Sequence, residues 1–135
     1  MEPVVPLDNE ATTALEIYRS NIRLLDESNL VIANITPFRG PHCDVGTAWE
    51  IGYAVSRGVP VFAFSATTEP LLDRIARGTP GRHVDSLGML VEDFGLPENL
   101  MIIYSLVEHR VYDTFEAAVE AAARYMSSAR PAKST

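Results

Sequence analysis

Apolar and polar positions alternate along this chain in blocks that differ in period. From Ala11 to about Ser28, Leu15, Ile17, Ile22, Leu24 and Leu25 share a broad apolar side opposite Glu16, Arg19, Arg23 and Glu27, which predicts an amphipathic helix. Leu30–Ile35 (LVIANI) is a nearly continuous apolar run of strand length, as expected of a strand covered on both faces. A Pro/Gly-rich loop from Thr36 to Asp44 follows, then a helix from about Val45 to Arg57, stopped by Gly58. Val61–Phe64 is a second buried strand, and Glu69–Arg77 a short helix. Gly78–Gly88 reads as an irregular loop and Leu90–Val91 as a brief strand. Pro97–Tyr104 carries both helix and strand signals, with Pro97 suited to a first turn. Asp113, with Glu116 three residues on, starts an alanine-rich helix that ends near Met126.

Helices alternating with short apolar strands predict an α/β layered domain with a mainly parallel sheet. Before the first helix the chain offers only a short extended stretch at Val4 and Val5 and a polar turn at Asp8-Asn9. An α/β domain usually opens on a full strand and helix, so the expectation is that a central strand is missing from the start. The loss would leave unpaired backbone groups, each costing about 1–3 kcal/mol if buried. These residues alone are therefore expected to fold poorly unless a partner chain fills the gap.

A length of 135 residues suits one domain, taken as residues 1–128 with a polar tail at 129–135. The single cysteine, Cys43, excludes an internal disulfide framework and fits a reducing cytoplasm. No apolar run approaches the roughly 20 residues that span a bilayer, so no membrane partner is expected. A net charge of −7 repels a phosphate backbone, so a nucleic acid polymer is not an expected partner. A small neutral ligand stays open. The three histidines show no metal-ligand spacing, and no phosphate-cradling glycine loop is present, so neither metal nor cofactor is expected.

Chemistry concentrates in TPFRGPHCDVGTAWEIGYA. The segment follows a buried strand, at the sheet end where open α/β domains place their ligands. Asp44 is a natural helix N-cap, and it is equally a candidate acid. Glu50 has Gly46, Thr47, Tyr53 and Ala54 on its side of the helix, and Gly46 and Ala54 leave room beside its carboxylate. Val45, Ala48, Ile51 and Val55 form the opposing core stripe. A helical glutamate is commonly a solvated charge, but here it can also attack an anomeric carbon and hold a glycosyl ester. Six helical residues rise about 9 Å, so Asp44 can assist Glu50 only if its carboxylate bends back. In the same loop Arg39 is read as a brace or, less simply, a phosphate ligand. Cys43, beside Asp44, is not a favoured nucleophile.

Four ordered blocks, PLDNE at Pro6–Glu10, RSNIRLLDESNLVIANITPFRG at Arg19–Gly40, DVGTAWEIGYA at Asp44–Ala54 and GLPENLM at Gly95–Met101, resemble the nucleoside 2-deoxyribosyltransferase family across nearly the whole chain. The resemblance implies a flavodoxin-like three-layer fold and exchange of purine or pyrimidine bases on 2-deoxyribose by double displacement. It puts Glu50 at the nucleophile position and Asp44 at the acidic position that assists base departure. Asp8, Asn9 and Glu10 fall on the wall facing the base, and Asn21 on a position that is acidic or amide among members. Gly46 belongs to the motif around the substrate. Asn99 and Met101 match an element that reaches a neighbouring subunit's site, implying a homo-oligomer with shared active sites. Without the resemblance, Asn99 is a helix-start residue and Met101 a core filler. Family members also open with a strand, a glycine turn and a helix that carry further site residues, including a tyrosine. Two alternatives accompany the transferase reading: an N-glycosidase of deoxynucleoside monophosphates, and a noncatalytic nucleoside-binding domain.

Overall fold

Among the described residues, three parallel strands form a central sheet in the order β1 (Val31–Asn34), β2 (Val61–Phe64), β3 (Val111–Tyr112). The computed structural model describes residues 13–75 and 83–129. Val31 pairs with Val61 and Asn34 with Phe64, while Ala63 and Phe64 continue onto Val111 and Tyr112. Parallel neighbours need crossover connections, and these are helical. Strand β2 is buried along Val61, Phe62 and Ala63, which explains why its sequence is apolar without alternation.

Successive β2 side chains point to opposite faces and divide the core in two. Val61 and Ala63 join Ala33, Ile35, Ile51, Ala54, Ile103 and Leu106, beneath α2 (Val45–Ser56) and α4 (Leu100–Ile103). Phe62 joins Tyr112 and the alanines Ala118, Ala121 and Ala122 of α5 (Phe115–Ser128). Small alanines let α5 lie close against the sheet, so its alanine-rich composition has a packing reason as well as a propensity one. The layers are thus helix, sheet, helix, in a flavodoxin-like arrangement.

Helix α1 (Ala14–Glu27) is held differently. It starts at a full capping box: Thr13 Oγ1 accepts from the Glu16 N–H, and the Glu16 carboxylate accepts from the Thr13 N–H. None of its residues is fully buried. Its contact with α2 is an aromatic and polar clasp, with Tyr18 edge-on to Trp49 and Trp49 stacked on Tyr53 at 5.2 Å. The Tyr53 hydroxyl donates to Asp26 at 2.6 Å, and Arg57 pairs with the same carboxylate.

Several sequence expectations shift in detail. Helix α5 is capped by Thr114, whose hydroxyl accepts from the Ala117 N–H, and not by Asp113. The ambiguous 97–104 stretch resolves into α4 with Asn99 as N-cap, and Leu90 makes only an isolated antiparallel bridge with Val84. The short helix over Glu69–Arg77 is α3 at Leu71–Ile75. On α2 the core stripe is Ala48, Ile51 and Ala54, whereas Val45 is 84 % exposed and Val55 also faces out. Gly58 ends α2 at φ 74, a left-handed turn that suits glycine. Strand β3 and the 3-10 turn at Val107–His109 carry no sequence signal, being two and three residues long.

Candidate active site

Among the described residues β1 is an edge strand. Val31 donates to Pro60 and Ile35 to Phe64, so the alternating residues Ile32 and Asn34 turn their backbone groups to the other side. A cleft of about 240 Å³ runs along that side, roofed by α1 and α2. Asn21, Leu24 and Leu25 face it from α1, Ser28 from the cap that ends that helix, and Thr47, Glu50 and Ile51 from α2. Asn34 lies at the carboxyl end of β1, where open parallel sheets hold ligands.

Glu50 is half-buried in this cleft. Burial first, and the charge of Asp44 second, push its pKa above the 4.5 of an ordinary glutamate. Asn21 faces the same space, and its side-chain oxygen is buried without a hydrogen-bond partner among the described residues. Such an acceptor is set to receive a donor from whatever occupies the cleft. Among the described residues no lysine or arginine lines it.

Asp44 turns its carboxylate over the first turn of its own helix. It is the N-cap of α2, and its Oδ2 accepts from the Thr47 N–H at 3.1 Å. The carboxylate therefore lies over the first turn, within electrostatic reach of Glu50, although it does not itself line the cleft. Gly46 is small for a specific reason. A Cβ there would come within 2.9 Å of Asp44 Oδ2, so the space expected for a sugar beside Gly46 is used by Asp44. Ala54, the other small neighbour, belongs to the core.

The structure does not bring all sequence candidates to the cleft. Asn99 is occupied within its own segment: Oδ1 accepts from the Met101 N–H, and Nδ2 donates to Glu92 at 2.5 Å. Met101 is 71 % exposed, so it is no core filler. Asp8, Asn9 and Glu10 lie outside the described residues. Arg39 stacks on Phe38, whereas Arg74 ties the loop down by donating to the Pro41 carbonyl at 2.7 Å and to the Pro97 carbonyl. Cys43 is buried, and burial together with Glu98 and Asp44 raises its pKa to about 11, which leaves it an inert thiol.

Sequence reasoning passes over Asn34, Arg74, Glu92 and Glu98. Asn34 is recognisable as the polar end of an apolar strand. Glu98 has no signal, since only the fold shows that this carboxylate is buried.

One helix of this α/β layer thus carries both the half-buried Glu50 and the acidic N-cap Asp44. The chain belongs to the nucleoside 2-deoxyribosyltransferase family, whose sequence profile matches residues 1–101. A solved 2-desoxiribosyltransferase from Leishmania mexicana superposes with a TM-score of 0.80 at 36 % identity, over 92 % of this chain and 77 % of that one. An uncharacterized protein of Schizosaccharomyces pombe is 26 % identical over 143 aligned positions, covering 87 % of this chain and 68 % of the relative. Family and structural neighbour support a function of the nucleoside deoxyribosyltransferase type. No helix among the described residues is long and apolar enough to cross a membrane.

Proposed function

We propose that this chain transfers 2-deoxyribose between the bases of deoxynucleosides through an ester on Glu50. The observation that carries the reading is the half-buried Glu50 carboxylate, which faces the cleft with its pKa raised by burial and by Asp44. Partial desolvation makes a carboxylate more basic and more nucleophilic. Ionised Glu50 attacks C1′ of the donor, the C1′–N bond breaks, and its electron pair leaves with the base. The departing base takes a proton relayed through the Asp44 carboxyl group. In the second step a nitrogen of the acceptor base attacks C1′, the ester bond breaks to restore the carboxylate, and the acceptor's proton returns to Asp44.

In this reading Asn21 supplies the unpaired acceptor for a sugar or base donor, and Asp8, Asn9 and Glu10 the wall facing the base. Asn99 and Met101 sit away from this chain's own cleft, which agrees with their serving the site of a second copy in a homo-oligomer. Incubation with deoxyinosine and free adenine, followed by chromatography, tests the reading. Deoxyadenosine formation is expected. Hypoxanthine release without exchange would identify a hydrolase, and silence from folded protein would leave a binding domain.

A further inference from the structure

The loop that carries Asp44 is anchored by a carboxylate remote in sequence. Glu98 is 1 % exposed, one of the most deeply buried side chains among the described residues. Its Oε2 accepts from the Cys43 N–H at 2.8 Å. Its Oε1 lies 2.6 Å from His42 Nδ1 and accepts from the Asn99 N–H at 2.8 Å. Arg74 bridges the same two segments through the Pro41 and Pro97 carbonyls.

A buried carboxylate is a poor source of stability, because its desolvation offsets most of what its partners return. What three fixed donors confer is position. Glu98 holds the N–H of Cys43, the residue before Asp44, and the N–H of Asn99, the cap of α4. We propose that Glu98 is a positioning residue, which sets Asp44 against Glu50 and locks the Asn99–Met101 segment to the Asp44 loop. This rests on the transferase reading for its catalytic consequence, but not for its geometry.

An amide cannot replace the carboxylate. With its oxygen toward His42 and Asn99, the NH2 group of a glutamine meets the Cys43 N–H. Turned round, it meets the Asn99 N–H, so one donor is always left without an acceptor. In Glu98→Gln the loop relaxes and Asp44 moves. Because the Asp44 charge helps raise the Glu50 pKa, withdrawing it lowers the Glu50 midpoint. Displacement of a positioned group by about 1 Å can cost about 100-fold in rate, so kcat is expected to fall about 10- to 100-fold, with KM changing less.

The test uses the full chain with carboxyl-labelled glutamate, titrating Glu50 by NMR in wild type and Glu98→Gln beside the exchange assay. A folded variant whose Glu50 midpoint falls, with the acid limb of kcat moving to lower pH, supports the assignment. A folded variant with an unchanged Glu50 midpoint overturns it, whatever happens to thermal stability. Should Glu98→Gln not fold, His42→Ala removes one donor whose side chain is 52 % exposed, and a smaller shift in the same direction is required. If the wild-type chain exchanges no bases, the transferase reading fails, while the Glu50 titration still decides the role of Glu98.

Discussion

Gly46 and Gly52 stand on the same helix and make a paired experiment. At Gly52 an added Cβ meets nothing within 4 Å, whereas at Gly46 it falls 2.9 Å from Asp44 Oδ2. Ordinary contact begins at 3.4 Å, so Gly46→Ala must push the carboxylate away by about 0.5 Å. The 3.1 Å bond to the Thr47 N–H then stretches past useful length. Losing an N-cap costs about 0.5–2 kcal/mol, while replacing a helical glycine by alanine returns up to about 1 kcal/mol. The net is within about 1 kcal/mol, a shift of about 4 °C or less in Tm. Activity is expected to respond more sharply, falling about tenfold or more as Asp44 leaves its place. Gly52→Ala should gain up to about 1 kcal/mol and keep wild-type turnover. Thermal unfolding and deoxyinosine–adenine exchange on both variants decide the matter. Wild-type kcat in Gly46→Ala would refute the argument that Asp44 works from this position.

Other consequences are open to direct measurement. Glu50→Gln should remove exchange, by about 1,000-fold or more, with no covalent sugar adduct seen by mass spectrometry of the intact protein. Because folding raises the Glu50 pKa, the folded state binds its proton more tightly than the unfolded chain, and stability falls as pH rises from 4.5 through the raised value. Glu50→Gln lacks that loss, so its stability advantage over wild type should grow across the same window in pH-dependent urea unfolding. Thr114→Ala should cost about 1 kcal/mol in denaturant unfolding, and Asp113→Ala much less, since Thr114 is the cap of α5. Cys43 should resist iodoacetamide at pH 8 in the native state and react on denaturation, as a buried thiol with a pKa of about 11 requires.

The elements with strong local signals are legible in the amino-acid pattern alone. VFAF reads as a buried strand because burial on both faces demands unbroken apolar character, whereas LVIANI, read the same way, forms a strand that is buried only at Ala33 and exposed at Asn34. Asp44 reads as an N-cap because the chemistry of a cap is local to one turn. The start of α5 lies one residue from its expected place, since Asp113 and Thr114 are both good caps and only the backbone path separates them. The exposure of Val45 and Met101 escapes the pattern because periodicity reports a face of the helix, not what covers it.

Sequence by itself determined the α/β layering, the family, and Glu50 with Asp44 as the residues of interest, because these rest on local pattern and ordered motifs. Only the tertiary structure decided where Asp44 points, that Gly46 is small to admit its carboxylate, and that Asn21 brings an unpaired oxygen to the cleft Glu50 lines. It alone joined Glu98 to a loop 55 residues away. The physical reason is range. Capping and periodicity act over one or two turns, while burial, desolvation and the field at Glu50 are sums over segments that meet only when the chain is folded.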